Sequence, residues 1–190
     1  MQPSLLLALL LLLTPTILLA QTSEPPHAIR IGANRAFFGA GDVVGPTFYA
    51  EYSYQLSPYV AVAPRAISGF AHRQDFSNLD HLSSFAINLS VCLSPLPRFL
   101  PGWTLDVGGL YHRFTNTYGN LTSFPGTPST ANDASHYSEN LWGFVGAING
   151  DVIHQEQYAI GVRLELLTSL SEGFLNADSY QLGVYYSRSF

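Results

Sequence analysis

Hydrophobic and polar residues alternate along most of this chain with a period of two, the spacing at which a β-strand sends successive side chains to opposite faces. Leu82 to Leu93 alternates most cleanly, with Phe85, Ile87, Leu89, Val91 and Leu93 on one side and Ser84, Ala86, Asn88, Ser90 and Cys92 on the other. The same pattern predicts a first strand over 27–38, with Ile29, Ile31, Ala33 and Phe37 opposed to Arg30, Gly32, Asn34 and Ala36. A second covers 47–56, a third 60–70 with Arg65 on its polar side, and a fifth 103–114 with Asp106 and His112 on its polar side. A sixth covers 137–148, a seventh 157–167 with Arg163 and Glu165 on one face, and an eighth 180–190. Pro64 falls inside the third and removes a ladder donor there. Turn chemistry separates the strands: Leu56-Ser57-Pro58-Tyr59, the proline-rich stretch 94–102, and Asn149-Gly150, a strong hairpin signal. The polar stretches 39–46, 72–81, 115–136 and 168–179 are expected as loops on the opposite side.

The composition points to an apolar face that meets lipid. Of the 190 residues 13% are aromatic and only 11% charged, against about 25% charged in ordinary soluble domains. A strand whose apolar face meets lipid and whose polar face meets a lumen has this charge deficit. Eight such strands, an even number, predict an all-β fold, an antiparallel transmembrane β-barrel. Closure follows because a sheet in hydrocarbon must leave no edge unpaired. A soluble ligand-binding barrel would share the strand count but turn its apolar residues inward.

The first 20 residues read as a secretory signal peptide. A leucine-rich apolar run, Leu5 to Leu13, is broken at Pro15 and leads to an expected cut after Ala20. The barrel domain is then expected over 21–190.

The last strand, Tyr180-Gln-Leu-Gly-Val-Tyr-Tyr-Ser-Arg-Ser-Phe190, carries Leu182, Val184, Tyr186 and Phe190 on one face. It resembles the C-terminal insertion signal of bacterial outer-membrane barrels, which implies the barrel-insertion machinery as a partner. The join Glu51 to Val62 around Leu56-Ser57-Pro58-Tyr59 is similar to the strand-turn-strand of small barrels of the OmpA and OmpX kind, the outer membrane protein beta-barrel domain family. That resemblance implies a monomeric protein of the Gram-negative outer membrane with lipid around it. The long polar stretch 115–136 is then the candidate contact for an extracellular ligand.

Candidate chemistry is sparse. The polar faces carry Arg30, Arg65 and Arg163 against Glu51, Asp106 and Glu165. Buried charges need partners, so this equal set predicts an internal salt-bridge network filling the lumen. A narrow channel with these groups as its filter is the alternative. His136 and Ser138 lie two apart on one strand face, the spacing of a base and a nucleophile, and are similar to the His-x-Ser-Asn motif of lipid A 3-O-deacylase barrels. Glu139 stands where that family has Asn, and no acid partner is assignable. His72, His81 and His112 show no ligand spacing, so neither a metal nor a cofactor is expected. Every basic residue is Arg and the net charge is −5. With no basic stripe, nucleic acid is not expected as a partner.

Overall fold

In a computed structural model, residues 27–39, 43–74, 78–95, 99–122, 130–170 and 178–190 are described. The expected signal peptide and the lead to Pro26 lie outside them. Eight strands follow one another: β1 His27–Phe38, β2 Val43–Ser57, β3 Val60–Gln74, β4 Asn78–Leu93, β5 Thr104–Thr122, β6 Thr130–His154, β7 Tyr158–Ser169 and β8 Ser179–Ser189. Each pairs antiparallel with the next, and β1 pairs with β8 from Ala28↔Ser189 to Phe38↔Ser179, so the sheet is a closed ring. The fold class is all-β, an eight-stranded antiparallel barrel.

Alternation carries the fold. Along the middle of the barrel the outward positions are mostly apolar or aromatic and exposed, among them Ile31, Phe48, Ile87, Leu89, Val107, Phe144, Leu164 and Val184. Inward positions are buried. Across β3–β6 the outward residues form rungs that follow the hydrogen-bonding direction: Val60↔Leu93↔Leu105↔Ile148, then Pro64↔Leu89↔Gly109↔Phe144, then Ala66↔Ile87↔Tyr111↔Trp142. Tyr111 and Trp142 meet edge-on at 5.1 Å between ring centroids. Pro64 is accommodated because it points outward and keeps its pairing with Leu89. The ladder to β2 is interrupted beside it, between Glu51↔Arg65 and Tyr54↔Val62.

Four expectations are corrected. Asn149-Gly150 is no turn: β6 runs through it to His154, and the chain reverses at 155–157. Asn149 points into the barrel, fully buried, and Gly150 packs under the Trp103 ring, where an added Cβ would lie 3.0 Å away. The stretch 72–81 is mostly strand, since β3 continues to Gln74 and β4 begins at Asn78. The stretch 115–136 is mostly a β-ribbon, because β5 extends to Thr122 and β6 starts at Thr130. The second strand begins at Val43, four residues earlier than the pattern indicates.

The inside is layered. At the end holding His27 and Phe190 lies an open well of about 800 Å³, with His27, Arg30, Gln55, Asp151, His154 and Gln157 among its walls. Above it come the charged residues and then an apolar and aromatic layer that includes Tyr49, Ile67, Leu110, Val145, Leu167 and Tyr185. Asn34, Thr47 and Gln181 form a small polar knot above these, Gln181 Oε1 accepting from Thr47 at 2.8 Å and from Asn34 at 3.0 Å. A second apolar cluster, Ala36, Phe38, Val43, Ala71, Leu82, Phe114 and Leu141, caps the far end.

Candidate functional site: the charged layer of the lumen

Six charged side chains from five strands meet at one level of the barrel. Arg30 on β1 pairs with Glu51 on β2 at 2.7 Å. Arg65 on β3 grips Glu165 on β7 with both terminal nitrogens, at 2.6 and 2.7 Å, and its Nε donates to Asn88 at 2.9 Å. Arg163, also on β7, is the hub: it reaches Glu165 at 2.6 Å, Asp106 on β5 at 3.0 Å and Glu51 at 3.4 Å. Each charge is placed by the same parity that puts apolar residues outside. Arg163 and Glu165 are two apart, so both point inward and the pair forms within one strand.

The neutral partners were less legible. Asn149 donates to Asp106 and to Thr104, and accepts from Arg163 Nη1, all at 2.8 Å. Its Asn-Gly context reads as a turn, although its parity with Leu141, Val145 and Ala147 places it on the inner row. Asn88 passes the network on to Ser90 at 2.7 Å. Two tyrosines stack against the layer: the Tyr49 ring has the guanidinium carbons of Arg65 and Arg163 each at 5.4 Å, and the Tyr185 ring has that of Arg30 at 4.6 Å while its hydroxyl donates to Asp151 in the wall of the well. Cation–π contacts of this kind gain strength where water is excluded. Glycine makes room for both rings. A Cβ on Gly32 would run into the Tyr49 ring, and one on Gly161 into that of Tyr185.

This arrangement binds its own charges to one another. Arg163 and Glu165 are both 1% exposed, Asp106 is 0% and Arg65 2%, with opposite charges in equal number.

His136 and Ser138 lie on the outward face of β6, exposed, far from this layer. Each turns to a threonine of β5: His136 Nδ1 to Thr117 at 3.0 Å, and Ser138 Oγ to Thr115 at 3.2 Å. They belong to the rungs His72↔His81↔Thr117↔His136 and Phe70↔Ser83↔Thr115↔Ser138. Between these and the Trp142 rung lies Ser68↔Phe85↔Arg113↔Asn140. Glu139, the nearest acid in sequence, lies on the other face and accepts from the Tyr137 hydroxyl at 2.8 Å. His112 is buried in the lumen, its ring edge-on to Phe114 at 5.8 Å. Among the described residues, no cluster of His, Cys, Asp and Glu suited to a metal ion is present.

On β8 and just beyond it, Leu182, Val184, Tyr186 and Phe190 all face outward and are exposed. Phe190 donates its backbone N–H to His27 O at 2.9 Å and stacks on the His27 ring, centroids 5.9 Å apart.

No family model matches the sequence, and no curated protein does. Solved structures do match. Ail, the attachment invasion locus protein of Yersinia pestis, superposes with a TM-score of 0.56 at 11% identity, covering 86% of this chain and 99% of that one. The outer membrane protein OprG of Pseudomonas aeruginosa gives 0.53 at 11% identity, covering 88% and 97%. A major outer membrane protein of Thermus thermophilus gives 0.52 at 15% identity, covering 85% and 99%. At such identities the likeness speaks for the fold. The chain has the fold of the small eight-stranded outer-membrane β-barrels.

Proposed function

We propose that this protein is an exported, integral outer-membrane barrel with a closed lumen, which acts through its surface and carries nothing through its bore. Residues 1–20 serve as the signal peptide and 21–190 form the barrel. The observation that supports the reading is the lumen itself, where the buried charged residues with the tyrosines stacked on them and the apolar cluster of Phe38, Leu82 and Phe114 follow one another along the bore. The outward apolar belt supports lipid as the surroundings, and the end holding His27 and Phe190 then faces the periplasm. The β5–β6 ribbon, the longest of the hairpins, projects outside and is the contact surface for an extracellular ligand. Ail, a neighbour of the same fold, was crystallised in complex with the heparin analogue sucrose octasulfate, which supports ligand binding by a barrel of this fold.

Two measurements test this. The protein refolded in detergent should run as a compact species on a gel unless boiled, and should track with the outer membrane after export. In planar bilayers it should give no discrete conductance steps; regular steps would reverse the closed-lumen reading and favour the narrow channel.

A further inference from the structure

On β3–β6 the outward face of the barrel changes character above the Tyr111–Trp142 rung, while β1 carries one outward cation toward the same end, Arg35. On β3–β6 the next three rungs carry Arg113, His72, His81 and His136 among hydroxyl and amide side chains, with two phenylalanines and no carboxylate. That absence stands out in a chain with 13 acidic and 8 basic residues. On the opposite side the pairing stops near the apolar belt, at Phe38↔Val43 between β1 and β2 and at Leu167↔Ser179 between β7 and β8. Aromatic residues such as Tyr and Trp mark the boundary between hydrocarbon and headgroups. Arg113 follows Tyr111 on the same face, about 7 Å further along the strand. Its side chain is exposed and has no ion-pair partner among the described residues.

We infer that this face, centred on Arg113 and flanked by His72, His81, Thr117, His136 and Ser138, binds the phosphorylated headgroup of an outer-leaflet glycolipid. Its continuity with the lipid-facing belt selects a lipid over a soluble ligand: the acyl chains would lie along Ile87, Tyr111 and Trp142 while the headgroup meets the polar rungs. Arg113 supplies the charge-assisted hydrogen bonds that a phosphate accepts. The imidazoles and hydroxyls offer donors to phosphate and sugar oxygens. His136 and Ser138 here act in recognition, each held in place by its threonine on β5.

The inference rests on the outer-membrane reading, and the test separates the two. The refolded protein in neutral detergent is mixed with lipid A or with its dephosphorylated form, and bound lipid is counted by native mass spectrometry. The expected result is preferential retention of the phosphorylated form. It should fall about tenfold in Arg113→Gln and further when His72→Asn, His81→Asn and His136→Asn are added. Arg188→Gln, which removes an outward arginine at the other end of the barrel, should leave retention unchanged. Equal retention of the two lipids, or an equal loss in Arg188→Gln, would overturn the inference. A compact, heat-modifiable band with no lipid preference removes this site alone, whereas loss of that band in the unmodified protein removes the outer-membrane reading. Arg113→Gln alone decides the matter if the quadruple variant does not fold, because its exposed side chain holds no core contact.

Discussion

Arg163 is the residue on which the inside of the barrel turns, since three carboxylates from three strands converge on it. Removing one partner of a buried ionic cluster leaves the others charged, dry and unbalanced. Arg163→Ala is therefore expected to destabilise the barrel by about 3–5 kcal/mol, read from urea titrations of folded fraction in detergent. The same truncation at Arg188, exposed on the outer face, should cost far less. At this scale the sequence was informative about charges. Arg30, Arg65, Arg163, Glu51, Asp106 and Glu165 stand out on faces otherwise small and polar, and parity alone assigns them to the lumen side. Asn149 was hidden, because an Asn followed by Gly has a strong local preference for a hairpin. Its amide hydrogen bonds to Asp106, Thr104 and Arg163 override that preference, and two of those partners lie more than forty residues away in sequence.

At the scale of the strand, the alternation is a record of the solvent on each face. It is clear on β4 from Leu82 to Leu93, where lipid-facing and lumen-facing environments differ most, and the reading of that strand from sequence matches its burial position by position. It fades at 72–81 and 115–136, which look like loops although β3–β6 continue through much of both. There the sequence places polar residues at both odd and even positions, and a period of two leaves no trace in hydropathy. Strand ends were thus legible only where they coincide with the edge of the apolar belt. The belt makes its own prediction. Leu89 is 59% exposed on a middle rung of the belt, so Leu89→Arg should cost about 2–4 kcal/mol in lipid vesicles, as a cation near the bilayer midplane does. The same exchange at Ser83, two residues from Phe85 and above the aromatic rung, should cost about 1 kcal/mol or less. Equal costs at the two sites would place the belt elsewhere.

For the molecule as a whole, the lumen is asymmetric: a well at the His27 and Phe190 end, ionic and aromatic layers in the middle, and an apolar cap at the other end. If the lumen is closed as proposed, the ionic layer and the apolar cluster are two barriers in series. Replacing Phe38 and Phe114 together by Ala removes the bulk of the cap. Bilayers containing that variant should remain silent, because Arg163 and its partners still occupy the bore below. Conductance steps in this variant would show that the cap alone seals the barrel.

The ring closes between β1 and β8, pairing Ala28 with Ser189 across nearly the full length of the barrel sequence. Closing so distant a contact is entropically slow, and every intermediate short of it presents two unpaired strand edges. No subset of the strands is a finished unit, so assembly has to await synthesis of β8. Until then the unpaired edges have to be kept from pairing with other chains. A mutation at the β1–β8 seam would accordingly be felt first as misassembly during biogenesis, and only secondarily as a weaker barrel.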